Sequence, residues 1–316
     1  MSQYVFGVDV GGMSIKLGLF QKNGELVEKF SIETDIGDEG RRILPAVAQG
    51  IFEKLGSRGL SINDVSGVGV GVPSPVTDDG VALFGTNINW RDPIPVKEIL
   101  HELLDVPVYV TNDANLAALG ELWQGGASGK KSMILLTLGT GVGGGIVIDE
   151  KVINGANGTS GEVGHFLVVS ENGAPCGCGR IGCLETVASA TGILRLAKEQ
   201  LATFEGESIL KNIEDMGVKD VFDAALTGDV FSVDLVDQVG HYLGLTCVNL
   251  ALTVNPEVFI LGGGVSQAGD VLLEAVRKHY KIHAFSSVKD TPFKLAILGN
   301  DAGIVGGAYL AMVGKK

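Results

Sequence analysis

The chain has 316 residues, 45% of them hydrophobic and 19% charged, which is enough for one large or two medium cores and excludes a disordered chain. Its 24 basic and 37 acidic residues leave a formal charge of −13, which argues against a broad nucleic-acid or anionic-membrane surface. No run reads as a membrane span, and Met1-Ser2-Gln3-Tyr4 carries no basic, apolar, cleavable leader, so the expected location is cytoplasmic. Residues 4–10 read as a buried strand running into Gly11-Gly12, and residues 15–20 as a second strand. Asn23-Gly24 is a hairpin signal, followed by a third strand over 26–34. Residues 40–55 have helical periodicity, and 65–72 form a glycine-rich strand closed by Pro73 and Pro75. A helix over 96–104 leads to a strand over 106–111, then to Asn112-Asp113 and a helix through Trp123.

The opening then recurs. A strand over 133–138 runs into Gly139-Thr140-Gly141-Val142-Gly143-Gly144-Gly145, with a strand over 146–149 and another near Val152. Thr137 stands in this copy where Asp9 stands in the first. A long helix over 235–254 precedes a strand over 258–261 and Gly262-Gly263-Gly264. A helix from about Ala268, a strand over 293–298 and a small-residue helix from Ala302 complete the chain. Two such copies imply two similar α/β domains, 1–118 plus 300–316 and 119–299, whose glycine turns face each other across a nucleotide. Glycine-rich crossings near 120–129 and 299–303 are the expected hinges, with the cleft closing on substrate. The pattern is neither a Rossmann fingerprint nor a Walker A loop, because no glycine motif of either register opens a helix. Many of the 47 glycines are expected to be ordinary turns.

Gly161-Glu162-Val163-Gly164-His165 is followed by Cys176-Gly177-Cys178-Gly179-Arg180-Ile181-Gly182-Cys183-Leu184-Glu185, which gathers three of the four cysteines within eight residues. In a cytosolic chain such clustering reads as metal binding rather than disulfide. Cys176, Cys178, Cys183 and His165 complete a tetrahedral zinc set, and four protein ligands leave no open position, so the zinc is structural. The alternative is a set of reduced cysteines in a turn. Cys247, inside the long helix, reads as a core residue.

Together these motifs, with Asp9-Val10-Gly11-Gly12 and Leu136-Thr137-Leu138 ahead of the second glycine turn, resemble the ROK family of bacterial sugar kinases and sugar-responsive repressors. The resemblance spans essentially the whole chain and is nearest to the family's glucokinases. One departure is Met13, where the family carries Thr; Ser14 follows and offers a hydroxyl. The resemblance implies an actin-like ATPase (ribonuclease H-like) fold, α/β, with two mixed-sheet domains around a cleft. It implies ATP with Mg2+, and Asp113 as the general base for a sugar hydroxyl; the competing role for Asp113 is a helix N-cap. Asn87, Asn112, Asp113, Glu162, His165 and Glu185 are the implied sugar-binding set, since each hydroxyl both donates and accepts. The competing reading of Glu162 and Glu185 is a solvated surface. Gly11, Gly12, Thr137, Gly139, Thr140, Gly141, Gly262, Gly263 and Gly264 are the implied nucleotide set, with Asp9 toward the Mg2+ shell. The family also implies a homodimer. Three functions follow: a glucose kinase, a kinase for another hexose such as N-acetylmannosamine or allose, and a sugar-sensing repressor. The last needs an N-terminal helix-turn-helix, for which a first strand at Tyr4 leaves no room.

Overall fold

The apolar run Tyr4–Val10 forms strand β1, whose Val5, Phe6, Val8 and Val10 are fully buried, in the computed structural model, which describes residues 3–314. Ser14–Gln21 (β2) and Leu26–Glu33 (β3) fold back on it as antiparallel neighbours. Ile43–Ser57 (α1) leads to Val65–Val72 (β4), and Val96–Leu104 (α2) to Val108–Asn112 (β5). The helix between successive strands makes β1, β4 and β5 parallel, giving the sheet order β3-β2-β1-β4-β5. One face of this sheet packs on Ile43, Val47 and Ile51 of α1 and Leu100 of α2. From β5 the chain passes directly into Asp113–Trp123 (α3).

Met133–Leu138 (β6), Val142–Ile148 (β7) and Lys151–Val152 (β8) repeat the opening hairpin. Glu185–Ala188 (α4), Ala190–Leu201 (α5) and Val218–Leu226 (α6) follow. Then come Val230–Val254 (α7), Phe259–Gly262 (β9), Asp270–His283 (α8) and Phe293–Leu295 (β10). The second sheet has the order β10-β9-β6-β7-β8, parallel across β6, β9 and β10. Helix α7 starts five residues earlier than its apolar period suggests, because the Asp229 side chain caps it by accepting the Ser232 N–H at 2.9 Å. Phe259 and Phe293 stack at 4.9 Å, and Tyr280 of α8 meets them edge-on at 5.9 and 4.9 Å.

Ala302–Val313 (α9) returns to the first sheet and covers its other face with Ile304, Val305 and Ala308. It lies so close that a Cβ on Gly7 would overlap the Ile304 carbonyl oxygen, and one on Gly69 the Gly307 carbonyl oxygen. Fully buried Glu121 fixes the entry to this helix, accepting the N–H of Gly126 at 2.8 Å and of Leu298 at 2.9 Å.

The chain divides into two compact units. One takes the chain up to Lys131, Gly145–Gly161 and the segment from Leu298; the other takes Ser132–Gly144 and Glu162–Ile297. Relative to the sequence boundaries, 119–131, 145–161 and 298–299 go with the first unit. Asn154 shows why: its buried Oδ1 accepts from Thr111 Oγ1 at 3.0 Å and Asn115 Nδ2 at 3.2 Å. No helix among the described residues is long and apolar enough to cross a membrane.

Candidate active site and metal cluster

In the first unit, the carboxyl ends of three parallel strands lie side by side, with Asp9 opposite Gly71 and Val72 opposite Asn112. Crevices outside such strand ends are where open α/β sheets hold ligands. Asp9 is 20% exposed, and Lys16, its cross-strand partner, brings Nζ to 3.6 Å. Burial pushes the Asp9 carboxyl up, and Lys16 offsets only part of that. The adjoining turn is tied by the Gly11 N–H to the Ser14 carbonyl at 3.1 Å and by Thr34 Oγ1 to the Gly11 carbonyl at 2.7 Å. A Cβ on Gly12 would lie 2.9 Å from the Asn87 carbonyl oxygen, so the polar loop carrying exposed Asn87 packs on this turn. Met13 is 89% exposed, and Ser14 begins β2.

Asp113 is the first residue of α3 and half-buried. The N-cap is Asn112, whose Oδ1 accepts from the Ala114 N–H at 2.9 Å and the Asn115 N–H at 3.3 Å. Asn112 Nδ2 donates to the Ser74 carbonyl at 3.3 Å. Asp113 Oδ1 accepts the Ala114 N–H at 2.8 Å, which orients its carboxylate at the positive end of the helix.

In the second unit, the glycine turn after β6 is closed by the Gly139 N–H to the Gly141 carbonyl at 2.9 Å. The start of α5 braces it from outside: the Ala190 N–H donates to the Gly139 carbonyl and Thr191 Oγ1 to the Thr140 carbonyl, both at 2.8 Å. Ser189 caps α5 by accepting the Gly192 N–H at 3.0 Å. Thr137 pairs in register with Gly262, which sets Gly262-Gly263-Gly264 beside the same turn. Gly263 has φ +84, and a Cβ there would sit 2.5 Å from the Leu138 carbonyl oxygen. Glu185, half-buried at the start of α4, links this turn to the cysteines. Its Oε2 accepts the Val142 N–H at 3.1 Å and its Oε1 the Cys176 thiol at 3.6 Å. A side chain at Gly141 would displace that carboxylate.

His165, Cys176, Cys178 and Cys183 each bring one ligand atom within 4.8 Å of the others. Cys178 Sγ is 3.7 Å from Cys183 Sγ, and Cys176 Sγ is 3.6 Å from His165 Nδ1. A tetrahedral zinc with bonds of about 2.3 Å to sulfur and about 2.0 Å to nitrogen sets those spans at about 3.8 and about 3.5 Å. The cluster fits such a cation, and all four cysteines are free thiols. The Arg180 backbone N–H and guanidinium lower the Cys178 thiol to about 6, while burial pushes Cys176 up to about 12 and also raises Cys183. Three sulfurs this close are all thiolates only around a cation. His165 Nε2 faces Glu162 Oε2 at 3.9 Å, and Arg180 Nη2 donates to the His165 carbonyl at 3.1 Å. Arg180 and Ser189 are functional residues that the sequence pattern leaves without a role, although Ser189 two residues before Thr191-Gly192 is a readable cap signal. Cys247 is fully buried in α7, and burial pushes its thiol up, as for an inert core residue.

Residues 5–313 match the ROK family. A glucokinase of Halalkalibacterium halodurans is 45% identical over 313 residues, which cover 98% of this chain and 94% of that protein. A ROK family glucokinase from Streptomyces griseus, solved with glucose and AMPPNP, is 35% identical with a TM-score of 0.76 and covers 98% of this chain and 100% of its own. The ROK hexokinase of Thermus thermophilus is 32% identical with a TM-score of 0.80, covering 98% of both chains. The two five-stranded mixed sheets are the actin-like ATPase fold of these sugar kinases.

Proposed function

We propose that this chain, which belongs to the ROK family, is an ATP-dependent glucokinase that transfers the γ-phosphoryl group of ATP to the 6-hydroxyl of glucose. The observation that carries the chemistry is the junction of β5 and α3. An Asp after a strand and before a helix is ordinarily a cap, but here Asn112 does the capping and Asp113 stands one residue further on. Phosphoryl transfer needs an aligned nucleophile, an acceptor for its proton and charge stabilisation. Asp113 takes the hydroxyl proton as the γ-phosphoryl group is transferred, and the Ala114 N–H holds its carboxylate in one orientation.

The remaining roles follow the family resemblance. Asn87, the second Nδ2 hydrogen of Asn112, Glu162, the Nε2–H of His165 and Glu185 serve sugar hydroxyls. Gly12, Thr140 and Gly141 present backbone N–H groups to the phosphates, while Gly11, Thr137 and Gly139 line the same two turns, the Gly11 and Gly139 N–H groups closing them. Gly262, Gly263 and Gly264 let backbone approach the adenosine. Mg2+ with the nucleotide would neutralise phosphate charge, with Asp9 directed to its water shell. Zinc in the Cys176, Cys178, Cys183 and His165 set would be structural. His165 Nδ1, 3.6 Å from Cys176 Sγ, would be the ligand nitrogen, which would leave its Nε2–H for sugar or Glu162. A cytoplasmic location and a homodimer complete the reading, the second implied by the family resemblance and checked by analytical ultracentrifugation.

Asp113→Asn tests the reading. It should keep glucose binding and lower kcat by about 10²- to 10⁴-fold. A variant within a few-fold of wild type would make Asp113 a structural residue.

A further inference from the structure

Three of the five histidines, His241, His279 and His283, lie outside every role assigned above, yet they converge. One ring nitrogen of each falls within 4.8 Å of the others. The placement comes from spacing. Asp237 and His241 on α7 are four residues apart, as are His279 and His283 on α8, and residues four apart stand above one another on one helix face. The two faces are pressed together, since a Cβ on Gly240 would lie 2.6 Å from that of Ala275, and one on Gly244 2.8 Å from that of His279. The His241 ring meets His279 edge-on at 5.1 Å and His283 at 6.0 Å. Asp237 Oδ1 accepts from His279 Nε2 at 3.0 Å and pairs with Lys278 Nζ at 2.7 Å.

We propose that His241, His279 and His283 form a second metal site, an all-imidazole clasp between α7 and α8 for a divalent cation of the zinc and nickel class. The donor set decides the class: imidazole suits zinc, nickel and copper, whereas calcium and magnesium take oxygen ligands. Asp237 is the positioning residue. By accepting the Nε2–H of His279 it leaves the Nδ1 lone pair for the metal, the carboxylate–histidine arrangement that fixes tautomer and ring direction. Three protein ligands leave a fourth position open. His241 also lines a groove of about 500 Å³, shared with His165, Arg180, Tyr242 and Asn249, from which a solvent ligand would enter. The ligands stand on packed helices rather than loops, so the site is held without ordering a loop on binding.

The test uses tag-free protein as purified, with its thiolate cluster filled, titrated calorimetrically with Ni2+ alone. Wild type should take up one nickel per chain beyond the metal already present, without the thiolate charge-transfer absorption that nickel at the cysteines would give. His283 is exposed, so His283→Gln leaves the packing intact and should weaken this binding by at least about tenfold. His241→Gln should do the same, and Asp237→Asn should cost about tenfold with the three imidazoles in place. Wild type taking up no further nickel, or binding it no more tightly than His283→Gln does, would overturn the site. If His241→Gln fails to fold, His283→Gln decides.

Discussion

Asp113 and Asn112 show how far single residues can be read. The sequence places a catalytic candidate at the strand-to-helix junction but does not say which of two adjacent residues caps the helix, because Asn and Asp cap about equally well. Three-dimensional partners, the Ala114 and Asn115 N–H groups, assign the cap to Asn112. Asp9 carries a different signature. It is packed against the start of α9, where a Cβ on Gly303 would lie 2.6 Å from its Cγ, and burial raises its pKa above its ordinary value, with Lys16 offsetting part of the rise. The folded state therefore favours the protonated form, and an ionised Asp9 costs stability at neutral pH. Asp9→Asn should raise the Tm at pH 7 while weakening Mg2+–nucleotide binding, and Lys16 keeps a partner in the Asn300 carbonyl at 3.3 Å. The gain in Tm should be full above the folded pKa and fade as pH falls through it toward the ordinary carboxylate value. Thermal melts across that range check the sign; a variant less stable at pH 7 would contradict the burial argument.

Among elements, the strands and the long helices are legible from apolar runs and glycine punctuation, whereas α4, α5 and α6 are not anticipated. Helix α4 has four residues and α6 nine, both short of the window in which a 3.6 period stands out, and α5 carries Gly192 in its first turn. The close seating of α9 is also hidden in the sequence, which shows its small residues but not what they admit. Gly69→Ala should destabilise by about 1–3 kcal/mol, since its Cβ meets the Gly307 carbonyl and only backbone can give way. A drop in Tm of several degrees is the expected readout, and an unchanged Tm would mean that α9 shifts freely. The metal loop makes a similar case for function. Cys178 is the exposed ligand, so Cys178→Ser changes little packing, yet it should lose zinc and raise the KM for glucose more than that for ATP. Elemental analysis beside steady-state kinetics checks both parts; a metal-free wild type with full activity would remove zinc from the account.

For the whole molecule, the duplicated opening makes two α/β units readable, but their membership rests on partners far apart in sequence. Asn154 joins Thr111 and Asn115 some forty residues away, and Glu121 joins Leu298 across most of the chain; neither link leaves a local pattern. The acidic balance is readable and compatible with a nucleotide, because the glycine turns offer backbone N–H groups rather than side-chain charge. The central claim is that these parts make one ATP-dependent glucokinase. Coupled ADP release over a panel of hexoses, with N-acetylmannosamine and allose included, tests it most directly. The account predicts the highest kcat/KM for glucose, with one glucose 6-phosphate formed for each ADP. Glucose binding with no ADP released from any hexose would contradict it and leave a sugar sensor in place of a kinase.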